Sequence, residues 1–239
     1  LVVAVFSGRS FWIADFASFL GRLTGKRTVL FLHGGNLPVF GEEHRRWVER
    51  VFDRADLVLA PSTALSETFQ AWGFDVRVVP NVLVIARYRF RLRSSPRPHL
   101  LWMRTFHEHY NPLMAVRVFA AVLRPPPEAK MTMAGADHGL LAAAREEARG
   151  LGVDDRVTFP GYLDAAQKRE AFEEHDVFLN TNIVDNMPVS LLEAAASGLV
   201  PVATAVGGIP SLVTDGEDGI LVPACDDALM AQRVLEILA

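Results

Sequence analysis

Cysteine is almost missing from this chain. Cys225 is the one thiol in 239 residues, so no disulfide can close within it, and no Cys/His cluster has the spacing of a zinc site. A reducing compartment is the expected setting. Long apolar runs are missing as well: no stretch of about 18 uncharged apolar residues is present to form a membrane-spanning helix, and Leu1 opens directly into LVVAVF without the basic flank of a secretory signal. Internal repeats and low-complexity tracts are absent, and nothing matches a nucleic-acid-binding module. These absences predict a soluble, cytoplasmic protein with no bound metal and no nucleic-acid partner.

What is present is a globular composition. Half the residues are hydrophobic and 22% are charged, enough for a substantial core without a staple. The formal net charge of −4 is unevenly spread: residues 1–98 hold 14 Lys/Arg against 8 Asp/Glu, and residues 99–239 hold 10 against 20. A basic first half suits either an anionic lipid surface or a plain solvated face.

Short runs rich in Val, Leu and Phe alternate with amphipathic stretches, the pattern of buried parallel strands joined by helices. Strands are predicted at 1–6, 28–32, 56–59 and 76–79, with helices at 11–23, 42–55 and 63–72. Ser62 is a good N-cap for the third helix and Gly73 a natural stop. Within the first helix Trp12, Phe16 and Phe19 recur at helical spacing and are expected to pack into the core, the alternative being a face that touches a membrane or lines an acceptor site. Residues 86–98, ARYRFRLRSSPRP, have two prolines, Arg at nearly every second position and no apolar stripe, and read as a linker. A second series follows, with strands at 99–103, 130–134, 157–159, 177–180 and 200–204 and helices at 112–123, 140–151, 165–174, 188–198 and 226–238. The predicted organisation is α/β: a Rossmann-like lobe at 1–86, a linker at 87–98, a second lobe at 99–239, and a cleft between the lobes. The first lobe lacks the strand, turn and helix that normally open such a unit, and the last helix stops abruptly at Ala239. A fragment is therefore expected.

The segment richest in chemistry is 185–223, DNMPVSLLEAAASGLVPVATAVGGIPSLVTDGEDGILVP. If Asp185 or Asn186 caps a helix and Pro188 takes its first position, the N–H groups of Met187, Val189 and Ser190 are left unpaired. The partial positive charge there suits a diphosphate, with Asp185 beside one end of the ligand and Glu193 beside the other. Two carboxylates so placed can accept hydrogen bonds from sugar hydroxyls. The same spacing also fits an ordinary capped helix with one buried Glu.

After Glu193 come a small-residue helix ending in Gly, a Pro-Val strand, the Gly207-Gly208 pair and an Asp-Gly turn before Gly-Ile-Leu-Val. This order resembles the signature of the retaining glycosyltransferases of family 4, which have the GT-B fold. ADLVLAPS, VVPN around Asn81 and RVTFPGY resemble further segments of that family. The resemblance extends over about residues 30–239 and is most specific in 185–223.

The resemblance implies a hexosyltransferase (EC 2.4) that moves a hexose from a nucleotide-diphosphate sugar to a glycan, a lipid-linked acceptor or another hydroxyl, with retention and without metal or cofactor. No Asp-x-Asp pair occurs in the chain, as that implies. Synthesis of a cell-surface polysaccharide is the implied setting, cytoplasmic or peripheral to the inner membrane surface. Arg104, after the strand HLLWM, matches the family's diphosphate-binding Arg, while RTFHEHYNP offers His107, His109 and Asn111 where the family has a Lys. By the same resemblance Glu193 holds the ribose, and Asp185 with His33 orients the hexose. Asn186, Met187, Pro188, Val189, Ser190 and the turn Gly207-Gly208 supply backbone contacts, and Gly161, Tyr162 and Leu163 lie near the base. His33 also ends a predicted parallel strand before Gly34-Gly35, where such folds bind ligand. Asp185 departs from the family's usual Glu, and Ser211 from a Glu common after Gly-Gly-x-Pro. A non-catalytic sugar-nucleotide-binding remnant and a nucleotide-sugar epimerase of the same fold are the competing expectations.

Overall fold

A computed structural model of the chain describes residues 1–123 and 128–239. They fall into two compact units, Leu1–Val82 with Val184–Met187, and Leu83–Ile183 with Pro188–Ala239.

The first unit is a four-stranded parallel sheet in the order β1 (Val2–Val5), β2 (Val29–Leu32), β3 (Leu57–Ala60), β4 (Val76–Val78). Between the strands run α1 (Phe11–Leu23), α2 (Leu37–Glu43), α3 (Arg45–Phe52) and α4 (Thr63–Gln70). Val5, Leu30, Leu32, Val48, Val51 and Phe69 form its core. Ser62 caps α4 as expected, its Oγ accepting from the Leu65 N–H at 3.3 Å. The helix predicted at 42–55 is the shorter α3, and α2 precedes it, the two being separated at His44 (φ −124°, ψ 33°). The earlier of the two starts beside Pro38, whose fixed φ suits a helix's first turn.

Helix α1 has the predicted ends but faces the other way. Phe11, Ala14, Asp15, Ser18 and Gly21 are buried, whereas Trp12, Phe16 and Phe19 are 64%, 68% and 52% exposed. Close approach decides this. A Cβ on Gly21 would lie 2.3 Å from Thr28 Oγ1, so the last turn of the packed side of α1 has no room for a side chain at that position. Asp15 then fixes the helix to α3, accepting from Trp47 Nε1 at 2.6 Å and from Arg54 Nη1 at 2.6 Å.

The second unit holds a six-stranded parallel sheet in the order β10-β9-β8-β5-β6-β7. Its strands are β5 (His99–Met103), β6 (Lys130–Ala134), β7 (Val157–Gly161), β8 (Val177–Asn180), β9 (Val200–Thr204) and β10 (Ile220–Val222). Its helices are α5 (Pro112–Leu123), α6 (Leu141–Gly150), α7 (Ala165–Glu174), α8 (Val189–Ala196) and α9 (Asp227–Leu238). Alternation along β5 serves both faces: Leu100 and Trp102 join the core with Met114, Phe119 and Val177, while Leu101 joins Phe172, Phe178 and Leu191.

The arginine-rich stretch at 87–98, expected as a linker, lies within the second unit and is tied to Asp176 there. Arg91 Nη2 bonds to Asp176 Oδ1; Arg93 Nε reaches the same oxygen at 3.2 Å and Arg97 Nε reaches Oδ2 at 2.9 Å. Asp176 is buried, which alone would raise its pKa. The hydrogen bonds from Arg97 and Arg91 prevail and hold it well below the usual carboxylate range.

Candidate functional site

Strand order locates the first candidate. From β5 the chain proceeds to β6 and β7 on one side of the sheet and places β8, β9 and β10 on the other, so the topological switch lies between β5 and β8. In parallel sheets ligands bind beyond the carboxyl ends of the strands at such a point. The loops that leave β5 and β8 carry Arg104 to Asn111 and Thr181 onward.

Arg104 is half-buried and its guanidinium carbon lies 4.1 Å from the centre of the Tyr110 ring. Such stacking orients a guanidinium. Its backbone is fixed too: the Arg104 N–H donates to Ala134 O at 3.1 Å, and the Phe106 N–H to Ala136 O at 2.8 Å. The approach of these loops requires Gly135, at φ +155°, where a Cβ would lie 1.8 Å from the Arg104 carbonyl oxygen.

Thr181 braces the same loop from β8. Its hydroxyl donates to Tyr110 O at 2.7 Å and accepts from Trp102 Nε1 at 2.9 Å. The Ile183 N–H donates to His109 O at 2.7 Å. Asn111 adopts φ +45°, and its Oδ1 accepts from the Met114 N–H at 3.4 Å in the first turn of α5. The imidazoles of His107 and His109 stand 4.5 Å apart, centre to centre, and are half-exposed. His107 Nδ1 accepts from the His109 N–H at 3.2 Å, which places the ring proton on Nε2 as a donor. Among the described residues, His107, Glu108 and His109 bring possible metal-ligand atoms within 4.8 Å of one another. To offer Nε2 there, His107 would have to carry its proton on Nδ1 and give up the hydrogen bond from the His109 N–H.

Helix α8 starts later than the sequence suggests. Pro188, at ψ 109°, precedes the helix and Val189 opens it. The Leu191 and Leu192 N–H groups donate to Pro188 O at 3.1 and 3.4 Å, so the helix-end donors are those of Val189 and Ser190, and Met187 lies outside the first turn. Ser190 Oγ is buried with no hydrogen-bond partner among the described residues.

Further along, Glu193 is 7% exposed, and its Oε1 accepts from the Tyr88 hydroxyl at 2.8 Å and from Lys168 Nζ at 2.6 Å. Burial and then the neighbouring carboxylate push Tyr88 up to about 12. Neither Tyr88 nor Lys168 is marked by the sequence. Tyr88 lies in the stretch read as linker, and Lys168 follows a capping box of Asp164 and Gln167 on a polar helix.

Gly161 takes φ +82° after β7, and its carbonyl accepts from the Gly135 N–H at 2.8 Å. Tyr162 is 78% exposed and Leu163 is buried in the core with Phe172. Gly207, at φ +53°, and Gly208 form the turn between β9 and the 3-10 turn Ile209–Ser211.

A second cluster belongs to the first unit. His33, Gly34 and Gly35 follow β2, and Asn186 Nδ2 donates to His33 O at 3.3 Å. Asp185 Oδ1 accepts from the Asn186 N–H at 2.7 Å, and Asn81 Nδ2 donates to Met187 O at 3.2 Å. The His33 ring lies against Phe31 and Phe6 at centre distances of 4.4 and 5.8 Å. Burial lowers its pKa, so the imidazole is mostly neutral near pH 7.

Comparison with known proteins agrees with the resemblance. The family described as Glycosyl transferases group 1 matches residues 97–239. The N-acetyl-alpha-D-glucosaminyl L-malate synthase of Bacillus anthracis is 25% identical over 226 residues, covering 89% of this chain and 58% of its own length. A putative colanic acid biosynthesis glycosyltransferase of Salmonella typhimurium is 34% identical over 90 residues, 35% of this chain and 22% of its own. The chain thus spans well under two thirds of these relatives. Among solved structures, sucrose-phosphate synthase of Thermosynechococcus elongatus superposes with a TM-score of 0.81 at 18% identity, over 99% of this chain and 64% of its own. Anabaena Alr3699/HepE in complex with UDP gives 0.80 at 18%, over 98% and 68%. At these identities the likeness is one of fold, and it bears out the expected GT-B type with two parallel sheets.

Proposed function

We propose that this chain, which belongs to the group 1 glycosyl transferases, serves a retaining hexosyltransferase activity that uses a nucleotide-diphosphate sugar. The observation that carries this reading is the placement of Arg104 at the carboxyl end of β5, beside the switch point, stacked on Tyr110 and braced by Thr181. Charge that develops on a departing diphosphate is the main electrostatic task of glycosyl transfer from such a donor. A fixed guanidinium meets it without reorganisation. His107 Nε2–H and the N–H groups of Val189 and Ser190 add neutral donors, and the unpartnered Ser190 hydroxyl adds another.

Glu193 takes the ribose hydroxyls. Lys168 and Tyr88 engage one of its oxygens, and a carboxylate so held still has acceptor sites for a diol. In the first unit Asp185 and the neutral His33 provide an acceptor and an imidazole for the hexose and the incoming hydroxyl. The acceptor is a glycan or a lipid-linked sugar. Relatives in support include the colanic acid enzyme above and a phosphatidyl-myo-inositol mannosyltransferase of Mycobacterium leprae, 26% identical over 208 residues.

The test is a panel of UDP-, GDP- and ADP-sugars, scored for binding and for nucleotide release with and without candidate acceptors. Release that depends on acceptor supports a transferase. Binding without release in any mixture would identify a sugar-nucleotide-binding protein without turnover, and epimerised sugar without acceptor would identify an epimerase.

A further inference from the structure

The loop that leaves β5 gathers ligand atoms beyond the one imidazole proton that the proposed transfer uses. His107 caps the 3-10 turn Glu108–Tyr110, and its ring stands beside that of His109 with centres 4.5 Å apart. One ligand atom from each of His107, Glu108 and His109 lies within 4.8 Å of the others. Among the described residues the Glu108 carboxylate and the His109 ring nitrogens have no hydrogen-bond or ion-pair partner, and His107 Nδ1 has the His109 N–H alone. The backbone below is held from β8: the Ile183 N–H donates to His109 O at 2.7 Å, and the Thr181 hydroxyl to Tyr110 O at 2.7 Å. Three ligand side chains on a braced turn lose little freedom in closing round one ion.

The donor set specifies the ion. Two imidazole nitrogens and one carboxylate oxygen suit Zn2+ and its first-row neighbours, whereas Mg2+ and Ca2+ take oxygen ligands. Zinc bonds of about 2.0–2.1 Å put tetrahedral ligand atoms about 3.3–3.4 Å apart, so the three side chains need modest rotations to close from their present 4.8 Å. Glu108 is exposed and both imidazoles are half-exposed, which leaves them room to turn and gives an ion a path from solvent. The opposing cost is small: His107 moves its proton to Nδ1 and loses one neutral hydrogen bond. Arg104 opposes the ion as a like charge, through Tyr110, whose ring centre lies 6.4 Å from that of His107. The Glu108 carboxylate offsets that charge from within the site.

We infer that His107, Glu108 and His109 bind one Zn2+ ion, three ligands from a single turn with the fourth position open to water. Binding of the ion does not depend on the sugar-nucleotide reading. Its consequence there does rest on that reading: the ion and the His107 Nε2–H are alternatives, so Zn2+ replaces a neutral donor with a cation on the loop that carries Arg104.

Isothermal titration of Zn2+ into the chelator-treated chain tests it. One ion should bind per chain, and excess Mg2+ should not displace it. His107→Ala and His109→Ala should each weaken Zn2+ binding by about tenfold or more, since removing even the groups behind a metal ligand costs that much. Glu108→Gln, which keeps the size and removes the charge, should also weaken it. Co2+ in place of Zn2+ should give the intense visible absorbance of a four-coordinate ion, and His107→Ala should abolish it. Cys225 is exposed and is the other ligand that zinc would seek, so Cys225→Ser should leave the affinity unchanged. Melting curves should match the wild type, because the three side chains carry no packing in the core. Absence of saturable Zn2+ binding overturns the inference. So does binding that survives His107→Ala with His109→Ala, or binding that Cys225→Ser removes. UDP-sugar binding measured on the same chelator-treated preparation keeps the two readings separate: sugar nucleotide bound and no zinc strikes this inference alone, and zinc bound through the two imidazoles with no sugar nucleotide strikes the other.

Discussion

Two buried carboxylates in the second unit, Asp176 and Glu193, are treated in opposite ways. Asp176 is held on both oxygens, by Arg91 and Arg93 on Oδ1 and by the Arg97 backbone and side chain on Oδ2, at 2.8 and 2.9 Å for Arg97. Glu193 is held on Oε1, by Tyr88 and Lys168. The first arrangement consumes the carboxylate in joining the arginine-rich stretch to the sheet. The second holds a carboxylate in place by one oxygen and leaves it capacity to accept more. Saturation marks a structural ion group, and partial engagement near an unpartnered Ser190 marks a binding group.

The largest effect expected from this contrast is on folding. Asp176→Ala leaves the buried Arg93 without its counter-charge and should cost about 3–5 kcal/mol, read by urea or thermal unfolding. The same group sets the acid limit. Its pKa is lowered on folding, so its contribution is complete above the unfolded value of about 3.9 and is lost as pH falls below that. Acid unfolding of Asp176→Asn should therefore lose part of its steepness below about pH 4, and an unchanged slope would remove Asp176 from the account.

Arg104→Ala should come next in size and should act on turnover. Loss of a fixed charge on the leaving diphosphate is expected to lower kcat by roughly 10²–10³-fold, with a much smaller change in melting temperature than Asp176→Ala produces. A variant that unfolds before it loses activity would assign Arg104 to structure.

The smallest effect belongs to Tyr88. Of the three tyrosines, this one should ionise near 12, visible as a late phenolate step in alkaline absorbance titration and missing in Tyr88→Phe. The raised value means that its contribution is complete below about 10 and lost as pH rises through 12, so Tyr88→Phe should flatten alkaline unfolding in that window.

Much of this fold is legible in the sequence because its strands are short apolar runs. Strands β5, β6, β8 and β9 and helices α1, α5 and α7 have the ends that periodicity and caps predict. Strand β10 escapes notice because three residues, Ile220–Val222, carry no period, and α2 escapes because HGGNLP reads as a turn. The orientation of α1 is not written in its own periodicity. It depends on the distance between Gly21 and Thr28, a tertiary fact. Arg104, Glu193 and His33 can be marked from their places after strands or in a helix. Tyr88 and Lys168 cannot, since they meet Glu193 across 105 and 25 residues of chain and only folding makes them neighbours. The start of α8 at Val189 was hidden by Pro188, which fits the first helical position as readily as the position before it.

The contrast between the two carboxylates is tested most directly by isothermal titration of a nucleotide sugar into Glu193→Ala and Asp176→Asn, each paired with its melting curve. The account predicts a crossed result. Glu193→Ala should bind the sugar nucleotide at least tenfold more weakly while melting closer to the wild type, and Asp176→Asn should melt far lower yet bind with wild-type affinity below its transition. Unchanged affinity in Glu193→Ala would contradict the assignment of that carboxylate to the donor.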